Sequence, residues 1–400
     1  MRGLAGAATA ALVSDHALGQ SGEWSQTFDS ASRTITMPRS RFATLTSNTV
    51  LSIERAMQEY AAIVAGGGWR AVQGPERLRL GMRDKAVVGL RERLAATSDL
   101  DRSTGISDIF DSYVEAAVRR FQARHGITAD GVVRESTYTA LNVPAEVRLR
   151  QLETNLVRVR SMSGQLGERY VVVNIPAAQL EAVEGGVAVL RHIAIVGKPD
   201  RPSPVLQAKI VEVNFHPFWT VPASIVKKDL IPLMQKEPDY LAKNKIRIYD
   251  QRGRELQPTA INWQSDEAVD YLFRQDPGEQ NSMGTIRINM PNPHAVYMHD
   301  TPSKNLFGED QRFHSSGCVR VQNVRELVNW LLAVTPNWSR VQIEGVVKGG
   351  ERTDAKISKP IPVYWVYITA WANPDGIVQF RDDVYGHDGL GIRPVADTRG

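Results

Sequence analysis

The spacing of apolar residues along the chain changes near residue 166, from a helical period to an alternating one. Before this point, apolar residues recur every three or four positions, which is typical of helices that bury one face. From Arg169 onward they alternate with polar residues, are often β-branched and are bounded by Gly and Pro, which favours strands. The pattern therefore predicts an α+β multidomain chain with a helical first part and a mostly β second part.

The helical part divides into three predicted segments. Residues 20–82 form a Ser/Thr-rich linker and a helical scaffold segment, whose helix over 47–64 ends at Gly66-Gly67-Gly68, since glycine can adopt the left-handed conformation that stops a helix. A compact helical block covers 83–143. A connecting helix over 144–165 starts at Pro144, which suits a first helical turn. Its arginines are expected to form a solvated basic face: Arg148, Arg150, Arg158 and Arg160.

The β part is predicted as one domain over 166–350 with an insertion. Alternation predicts strands near residues 170–175, 179–183, 187–196, 205–215 and 285–290. The pattern breaks over 223–283, and insertions of this size in a compact sheet are often lids or binding flaps. Residues 351–400 are predicted to be a C-terminal hairpin and tail, with a turn at Asn373-Pro374-Asp375-Gly376.

Composition places the chain among soluble globular proteins. Of its 400 residues, 42% are hydrophobic and 23% are charged, which suits two or three domains. The net charge of +4 is too small to indicate nucleic-acid binding. Residues 1–19 are predicted to be a secretory signal peptide. No later stretch approaches the ~20 apolar residues of a transmembrane span, so none is expected.

Candidate chemistry centres on Cys318, the only cysteine in the chain. A lone thiol cannot form an intramolecular disulfide, and His299 ends an apolar run 19 residues earlier, so a nucleophile–base pair is the leading hypothesis. Ser316 and Gly317 leave room for a substrate carbonyl. The backbone N–H groups of Gly317 and Cys318 are expected to bind the developing oxyanion.

Two families resemble parts of this sequence. The block over 83–143 resembles a three-helix peptidoglycan-binding domain, although a generic helical adaptor with the same packing stays an alternative. The matching residues are Ala117 to Gln122, Gly126-Ile127, Asp130-Gly131, Thr137 and Ala140-Leu141. The segments from Tyr297 to Lys304 and from Ser315 to Val321 resemble the active-site signature of the L,D-transpeptidases. The layout from about residue 50 to 385 is similar to the long periplasmic members, with a sandwich-like β catalytic domain and an inserted cap.

The resemblance implies roles for individual residues. Cys318 is expected to be the nucleophile and His299 the base, while Ser316 and Gly317 shape the oxyanion turn. Contacts with substrate are expected from five residues: Arg320, Tyr297, His314, Trp219 and Ser315. Many shorter members carry a histidine two residues before the cysteine, where this chain has Ser316, so the role of His314 stays open. Arg201-Pro202-Ser203-Pro204 resembles the family's substrate-side loop, and a plain turn is the alternative.

The implied function is cell-wall crosslinking in the bacterial periplasm. A Cys318 thioacyl-enzyme would release D-alanine from a tetrapeptide stem and join two diaminopimelate residues, with no metal or organic cofactor. Peptidoglycan stems and glycan are the expected substrates, and peptidoglycan synthases are candidate partners. The family resemblance also implies acylation by carbapenems.

Alternatives to this function remain at the level of sequence. The same thiol would serve an L,D-carboxypeptidase or a transferase that attaches a lipoprotein to the wall. A wall-binding protein without catalysis would alkylate slowly at Cys318, whereas an enzyme is expected to alkylate faster than a free thiol at pH 7. A zinc site of Cys318, His299 and His314 lacks the paired cysteines or HExxH helix of known sites. A buried structural cysteine is the remaining alternative.

Overall fold

The computed structural model describes residues 40–164 and 166–390. The predicted signal peptide over 1–19, most of the predicted linker and the last ten residues lie outside the described residues. Of the helices in the described part of the chain, none combines the length and the apolar character that a membrane crossing requires.

The alternating part of the chain folds into a sheet whose hydrogen-bonded ladder closes on itself. The strands are β1 (Arg169–Asn174), β2 (Gln179–Glu184), β3 (Val187–Gly197), β4 (Leu206–Phe215), β5 (Trp219–Thr220), β6 (Ile246–Tyr249), β7 (Glu255–Leu256), β8 (Leu272–Gln275), β9 (Ile286–Asn289), β10 (Met298–His299), β11 (Phe313–Ser315), β12 (Val319–Val321), β13 (Thr353–Val366), β14 (Ala370–Ala372) and β15 (Val378–Phe380). The order is β11-β3-β12-β10-β9-β4-β13-β1-β2, and β2 also pairs with β3. The mostly β catalytic domain is thus confirmed, and its sandwich-like sheet forms a closed ring of eight strands with β11 beside β3.

The predicted domain end at residue 350 falls one strand short. β13 lies between β4 and β1, pairing parallel with β1 and antiparallel with β4. The ring therefore closes only through residues 353–366, which were expected to belong to the C-terminal segment 351–400. The hairpin itself is shorter than predicted and consists of β14 and β15.

Both faces of the sheet are covered along β1, which explains its uninterrupted apolar sequence. Val171 and Val173 point into the main core, which also contains the apolar face of α9 (Val324–Leu332) and part of α10 (Arg340–Gly349). Tyr170 and Val172 point the other way, into a second core. That core is covered by α1 (Thr49–Ala65), α5 (Ala145–Ser163) and the hairpin.

The expected solvated basic face of α5 is only half right. Arg150 and Arg160 are exposed, but Arg148 is 4% exposed. Arg158 donates to Asp388 Oδ1 at 2.5 Å and to the Tyr367 carbonyl at 3.2 Å. The chain after β13 folds back over this helix, a contact between distant segments that helical periodicity does not reveal.

The helical block packs around its own core. It contains α2 (Ala86–Ala96), α3 (Ser112–Arg124) and α4 (Glu135–Asn142). Val87, Leu90 and Leu94 of α2 are fully buried, and so are Ala117 and Phe121 of α3. Tyr113, one turn before Ala117, is 64% exposed, and Val114 fills the core instead.

The helical block is held against the hairpin by buried arginines. Arg124 pairs with Asp99 at 2.5 Å and also donates to the Val378 carbonyl at 3.3 Å. Arg381 donates to the Arg124 carbonyl at 3.0 Å. Gly126 leaves space for this arginine, since a Cβ there would lie 2.7 Å from Arg381 Nε. The block is therefore anchored to the rest of the chain through polar contacts as well as through its two ends.

The predicted insertion is a small folded unit. It has a four-stranded sheet in the order β5-β8-β6-β7 and a separate apolar core. Its helical residues are α6 (Ala223–Ile225), the π-helical turn Val226–Leu230, α7 (Ile231–Lys236) and α8 (Tyr240–Lys243). It begins with β5, a few residues before the predicted boundary at 223. It leaves the ring after β4 and returns at β9, which are antiparallel neighbours.

Substituting Gly126 by Ala should destabilise the protein more than the same change at Gly350. Both glycines have a positive φ, +70° and +77°, and Gly350 is in the left-handed region, where a Cβ costs about 1 kcal/mol. Only at Gly126 does the added Cβ meet Arg381, whereas a Cβ at Gly350 has nothing within 4 Å. Thermal unfolding of the two variants measures the difference. Equal losses would mean that the Arg381 contact contributes nothing.

Candidate active site

The register of three strands places the candidate catalytic side chains on one face of the sheet. β10 pairs in parallel with β12, with Met298 opposite Val319 and His299 opposite Arg320. Met298 and Val319 point into the main core. Since side chains alternate along a strand, Tyr297, His299, Cys318 and Arg320 share the opposite face. On the other side of β10, Arg287 of β9 lies opposite His299, so its side chain is on the same face as these four residues.

The Cys318 thiol is partly buried beside a hydrogen-bond donor. Burial raises the pKa of this thiol to about 11, opposed by hydrogen bonds from the Tyr297 backbone and phenol and by the charges of Arg287 and Arg320. Burial also raises the pKa of Tyr297 well above its usual value. The phenol therefore stays protonated and can donate a hydrogen bond to a thiolate. Trp219, at the base of the insertion, acts on the same phenol and opposes this rise of the Tyr297 pKa. The insertion therefore begins next to Tyr297.

His299 is held in one tautomer by its own backbone neighbour. Its Nδ1 lies 2.5 Å from the Asp300 carbonyl oxygen. A carbonyl only accepts, so Nδ1 carries the proton and Nε2 keeps the lone pair. Burial lowers the pKa of His299 to about 3, and the charge of Arg320 acts in the same direction. The imidazole is therefore neutral at physiological pH and can act as a base through Nε2.

Asp300 fixes the carbonyl that orients His299. Its carboxylate accepts from the Thr285 N–H and hydroxyl, both at 3.0 Å, and forms an ion pair with Lys304. The Lys304 charge holds the pKa of Asp300 below its usual value against the opposing effect of burial. Gly284 makes room for this carboxylate, because a Cβ there would lie 2.5 Å from Asp300 Oδ2. The Asp in the His-Asp-Thr-Pro sequence thus supports the base rather than reacting itself.

The turn before Cys318 is fixed by serine hydroxyls. Gly317 has φ +112°, a conformation that other residues rarely adopt. Ser315 Oγ donates to the Cys318 carbonyl at 2.5 Å and accepts from the Gly317 N–H at 3.1 Å. Ser203 Oγ donates to the Gly317 carbonyl at 2.8 Å. These bonds hold the turn against the loop that contains Ser203.

Two sequence expectations for this turn need correction. The Gly317 N–H already donates to Ser315, so it is not available for an oxyanion. No acceptor for the Cys318 N–H is found within 40–164 and 166–390, which leaves that group as the backbone donor. Ser315 is 3% exposed and is occupied by the turn, so it does not face substrate.

His314 points away from this face. It is exposed, lies 2.7 Å from Glu309 Oε2 and 2.8 Å from the Gln311 carbonyl. These contacts belong to the loop before β11 and match a loop-packing role. In the part of the chain that the structure describes, no three His, Cys, Asp or Glu side chains group together as a metal site. Cys318, His299 and His314 therefore do not form the alternative zinc cluster.

Two charged residues around the site, Asp229 and Arg287, were not expected from the sequence. Arg201 donates to Ser316 Oγ at 3.0 Å and pairs with Asp229 of the insertion. Arg287 lies with its guanidinium 4.6 Å from the centre of the Tyr297 ring. Arg201 itself belongs to the loop that resembles the family's substrate-side loop, for which a plain turn was the alternative. Arg287 carried a weak signal, since it alternates with the buried residues Ile286 and Ile288.

Alkylation of Cys318 by iodoacetamide at pH 7 should be about 10²-fold slower than that of an ordinary thiol, because only the thiolate reacts. The rate should rise with pH up to about 11. This reverses the expectation of fast alkylation for an enzyme. Tyr297→Phe should raise the thiol pKa further, since it removes a donor to the thiolate, while the exposed Tyr113→Phe should not. Rates over pH 6–11 test this, and an unshifted profile in Tyr297→Phe would exclude the donor role.

Comparisons with known proteins agree with the geometry. Residues 168–343 match the L,D-transpeptidase catalytic domain family, and residues 83–141 match a family described as "Putative peptidoglycan binding domain". A Haemophilus influenzae protein named "Putative L,D-transpeptidase" is 35% identical over 219 residues, 54% of this chain and 44% of that protein. The N-acetylmuramoyl-L-alanine amidase CwlM of Mycobacterium tuberculosis is 39% identical over 74 residues, 16% of this chain and 18% of that protein. The chain thus spans less than half the length of either relative.

A solved L,D-transpeptidase from Stackebrandtia nassauensis is similar at 13% identity, with a TM-score of 0.26, over 74% of this chain and 97% of that one. The assignment does not depend on this distant likeness, since it rests on the two family matches and on the 35% identical relative. The chain therefore carries an L,D-transpeptidase catalytic domain at residues 168–343 and a peptidoglycan-binding family domain at residues 83–141.

Proposed function

We propose that the chain crosslinks peptidoglycan by joining two diaminopimelate residues through a Cys318 thioacyl-enzyme. The observation that carries the proposal is the pairing of β10 with β12, which puts a neutral imidazole and a partly buried thiol on one face of the sheet. The Tyr297 phenol and the Cys318 N–H supply donors for the charges that develop there. No step of this chemistry requires a metal or a cofactor.

The first half-reaction is attack of Cys318 on the donor stem. Sγ attacks the carbonyl between the L-centre of diaminopimelate and the terminal D-alanine, while His299 Nε2 takes the thiol proton. The oxyanion accepts from the Cys318 N–H. When the intermediate collapses, the C–N bond breaks and His299 returns its proton to the amine of the departing D-alanine.

The second half-reaction transfers the acyl group to another stem. The side-chain amine of a second diaminopimelate attacks the thioester, His299 accepts the amine proton, and Cys318 leaves as the thiol. Water in place of the amine would give hydrolysis, which is the L,D-carboxypeptidase alternative. A lysine of a lipoprotein would give attachment to the wall. The acceptor is the feature that distinguishes these functions.

The electrostatics of the site suit this substrate. Burial disfavours both a resting thiolate and a resting imidazolium, so the proton must move as the carbonyl is attacked. Arg287 and Arg320 add positive charge to the face that contains Cys318. Stem peptides carry several carboxylates, which these guanidinium groups can bind.

The remaining domains fit a protein that works in the bacterial cell envelope. The domain over 83–141 is proposed to hold peptidoglycan while the catalytic domain acts on stems. Export to the periplasm follows from the substrate, and peptidoglycan synthases are the proposed partners. The alternative of a wall-binding protein without catalysis would use only the helical domain.

Cys318→Ala should abolish both crosslinking and the covalent carbapenem adduct, because the nucleophile is lost, while binding to isolated wall polymer persists. His299→Ala should slow acylation by about 10² or more, the usual contribution of a general base. Intact-mass spectrometry with a carbapenem and chromatography of muropeptide products measure these effects. Wild-type turnover in either variant would exclude the mechanism, and wall binding without any wild-type product would favour the wall-binding alternative.

Removing the insertion should raise the ratio of cleaved stems to crosslinks, because water would reach the thioester more easily. Phe215 lies opposite Ile286, and the His216 N–H donates to the Thr285 carbonyl at 2.9 Å, so the ends of the insertion are adjacent. An Asn-Gly turn can therefore replace residues 218–283. Product ratios are compared in protein shown to be folded by circular dichroism. An unchanged ratio would mean that the insertion does not exclude water.

A further inference from the structure

The Arg201 guanidinium connects the insertion to the turn at residues 315–317 before Cys318, which we call the nucleophile turn. Its Nη1 donates to Ser316 Oγ at 3.0 Å. The same guanidinium donates to the Asp229 carboxylate from both Nη atoms. Nη1 donates to Oδ2, and Nη2 donates to Oδ1 at 3.0 Å. The Arg201 side chain is 14% exposed and that of Asp229 is 36% exposed. This two-pronged geometry is the one in which arginine binds carboxylates most specifically.

Of the two partners, Arg201 is the more buried and Asp229 the more exposed. The Arg201 N–H donates to the Lys198 carbonyl at 2.9 Å, and nearby Ser203 bonds both Gly197 N and the Gly317 carbonyl. Arg201 therefore belongs to a loop that is hydrogen-bonded to the nucleophile turn. Asp229 belongs to the π-helical turn of the insertion, which has its own core. A ligand carboxylate that offers the same two-pronged geometry can therefore compete with Asp229 for this guanidinium.

The bond from Arg201 to Ser316 places the guanidinium near Cys318. Ser316 is two residues from Cys318, and two residues of chain span at most ~7 Å. In the proposed donor, the terminal carboxylate is one residue, ~3.8 Å between Cα atoms, beyond the carbonyl that Cys318 attacks. A guanidinium bonded to Ser316 is therefore within reach of that carboxylate when the carbonyl is at Sγ.

We propose that Arg201 binds the terminal carboxylate of the donor stem and that Asp229 occupies this binding position in the free enzyme. Donor binding then exchanges one carboxylate for the other and releases the insertion from the nucleophile turn. Arg201 thereby selects donors that end in a free carboxylate, and Asp229 competes with them. This inference rests on the proposed function, since it assumes a stem peptide as the donor.

Steady-state kinetics with two donors test the inference. One donor is a tetrapeptide stem that ends in D-alanine, and the other ends in D-alanine amide. Wild type should show a KM about tenfold or more lower for the free carboxylate, the scale of a charge-assisted hydrogen bond. Asp229→Asn should lower the KM of the carboxylate donor several-fold and leave that of the amide unchanged. Arg201→Gln should raise the KM of the carboxylate donor alone, and the double variant should show no gain from Asp229→Asn.

Asp266→Asn is the matched control. Asp266 pairs with Lys227, which precedes Asp229 in the same π-helical turn, and both of these side chains are exposed. Loss of the Asp266 carboxylate should change neither the KM of the carboxylate donor nor that of the amide donor. If Asp229→Asn raises the KM of both donors equally, Asp229 only braces the insertion and the exchange is excluded. Equal KM values for the two donors in wild type would exclude the role of Arg201.

Binding measurements keep this test separate from the proposed function. Calorimetry with the Cys318→Ala protein measures affinity for each donor without turnover, and the same preference and the same effects of Asp229→Asn and Arg201→Gln are expected there. If wild type releases neither D-alanine nor D-alanine amide but the preference for the carboxylate persists, the catalytic proposal fails and the carboxylate position stands. If turnover occurs without any preference, only the carboxylate position is wrong.

Discussion

The short parallel pairing of β10 with β12 is the constraint on which the whole site depends. Only two residue pairs define it, and the Val319 N–H to Tyr297 carbonyl bond at 3.1 Å fixes its start. A shift of one residue would turn Cys318 into the core and Val319 toward the substrate, because side chains alternate. Buried Met298 and Val319 resist this shift, since it would place a thiol and an imidazole among apolar side chains. Core packing and catalytic geometry are therefore specified together.

Burial keeps both the thiol and the imidazole uncharged in the free protein. The environment that raises the thiol pKa and lowers the imidazole pKa removes a resting ion pair, so a reactive thiolate is not standing exposed between turnovers. Reaction then depends on a substrate carbonyl arriving together with its own donors and charges. Trp219 acts on the Tyr297 phenol, so the first strand of the insertion influences a group that neighbours the thiol.

Much of the fold and the centre of the site could be predicted from local sequence. The lone Cys318, its turn and the His299 run were visible because the nucleophile and its base each lie in a short distinctive segment. The alternation that predicted the strands also reports directly on which residues are buried. What escaped prediction depends on contacts between distant segments. β13 completes the ring, Arg148 is buried against Phe380 of the hairpin, and Asp229 reaches Arg201 across the insertion boundary. None of these contacts produces a periodic pattern of apolar residues in the neighbouring sequence.

The position of the peptidoglycan-binding family domain between α1 and α5 has a mechanical consequence. Both helices pack on the same core, so the domain leaves and re-enters one scaffold and is attached at two points. The Arg124 and Arg381 contacts add a third attachment. A module on a single flexible tether sweeps out a volume, whereas one attached in this way keeps a constant offset from the active site. The distance between this domain and Cys318 is then set by the fold rather than by the length of a linker.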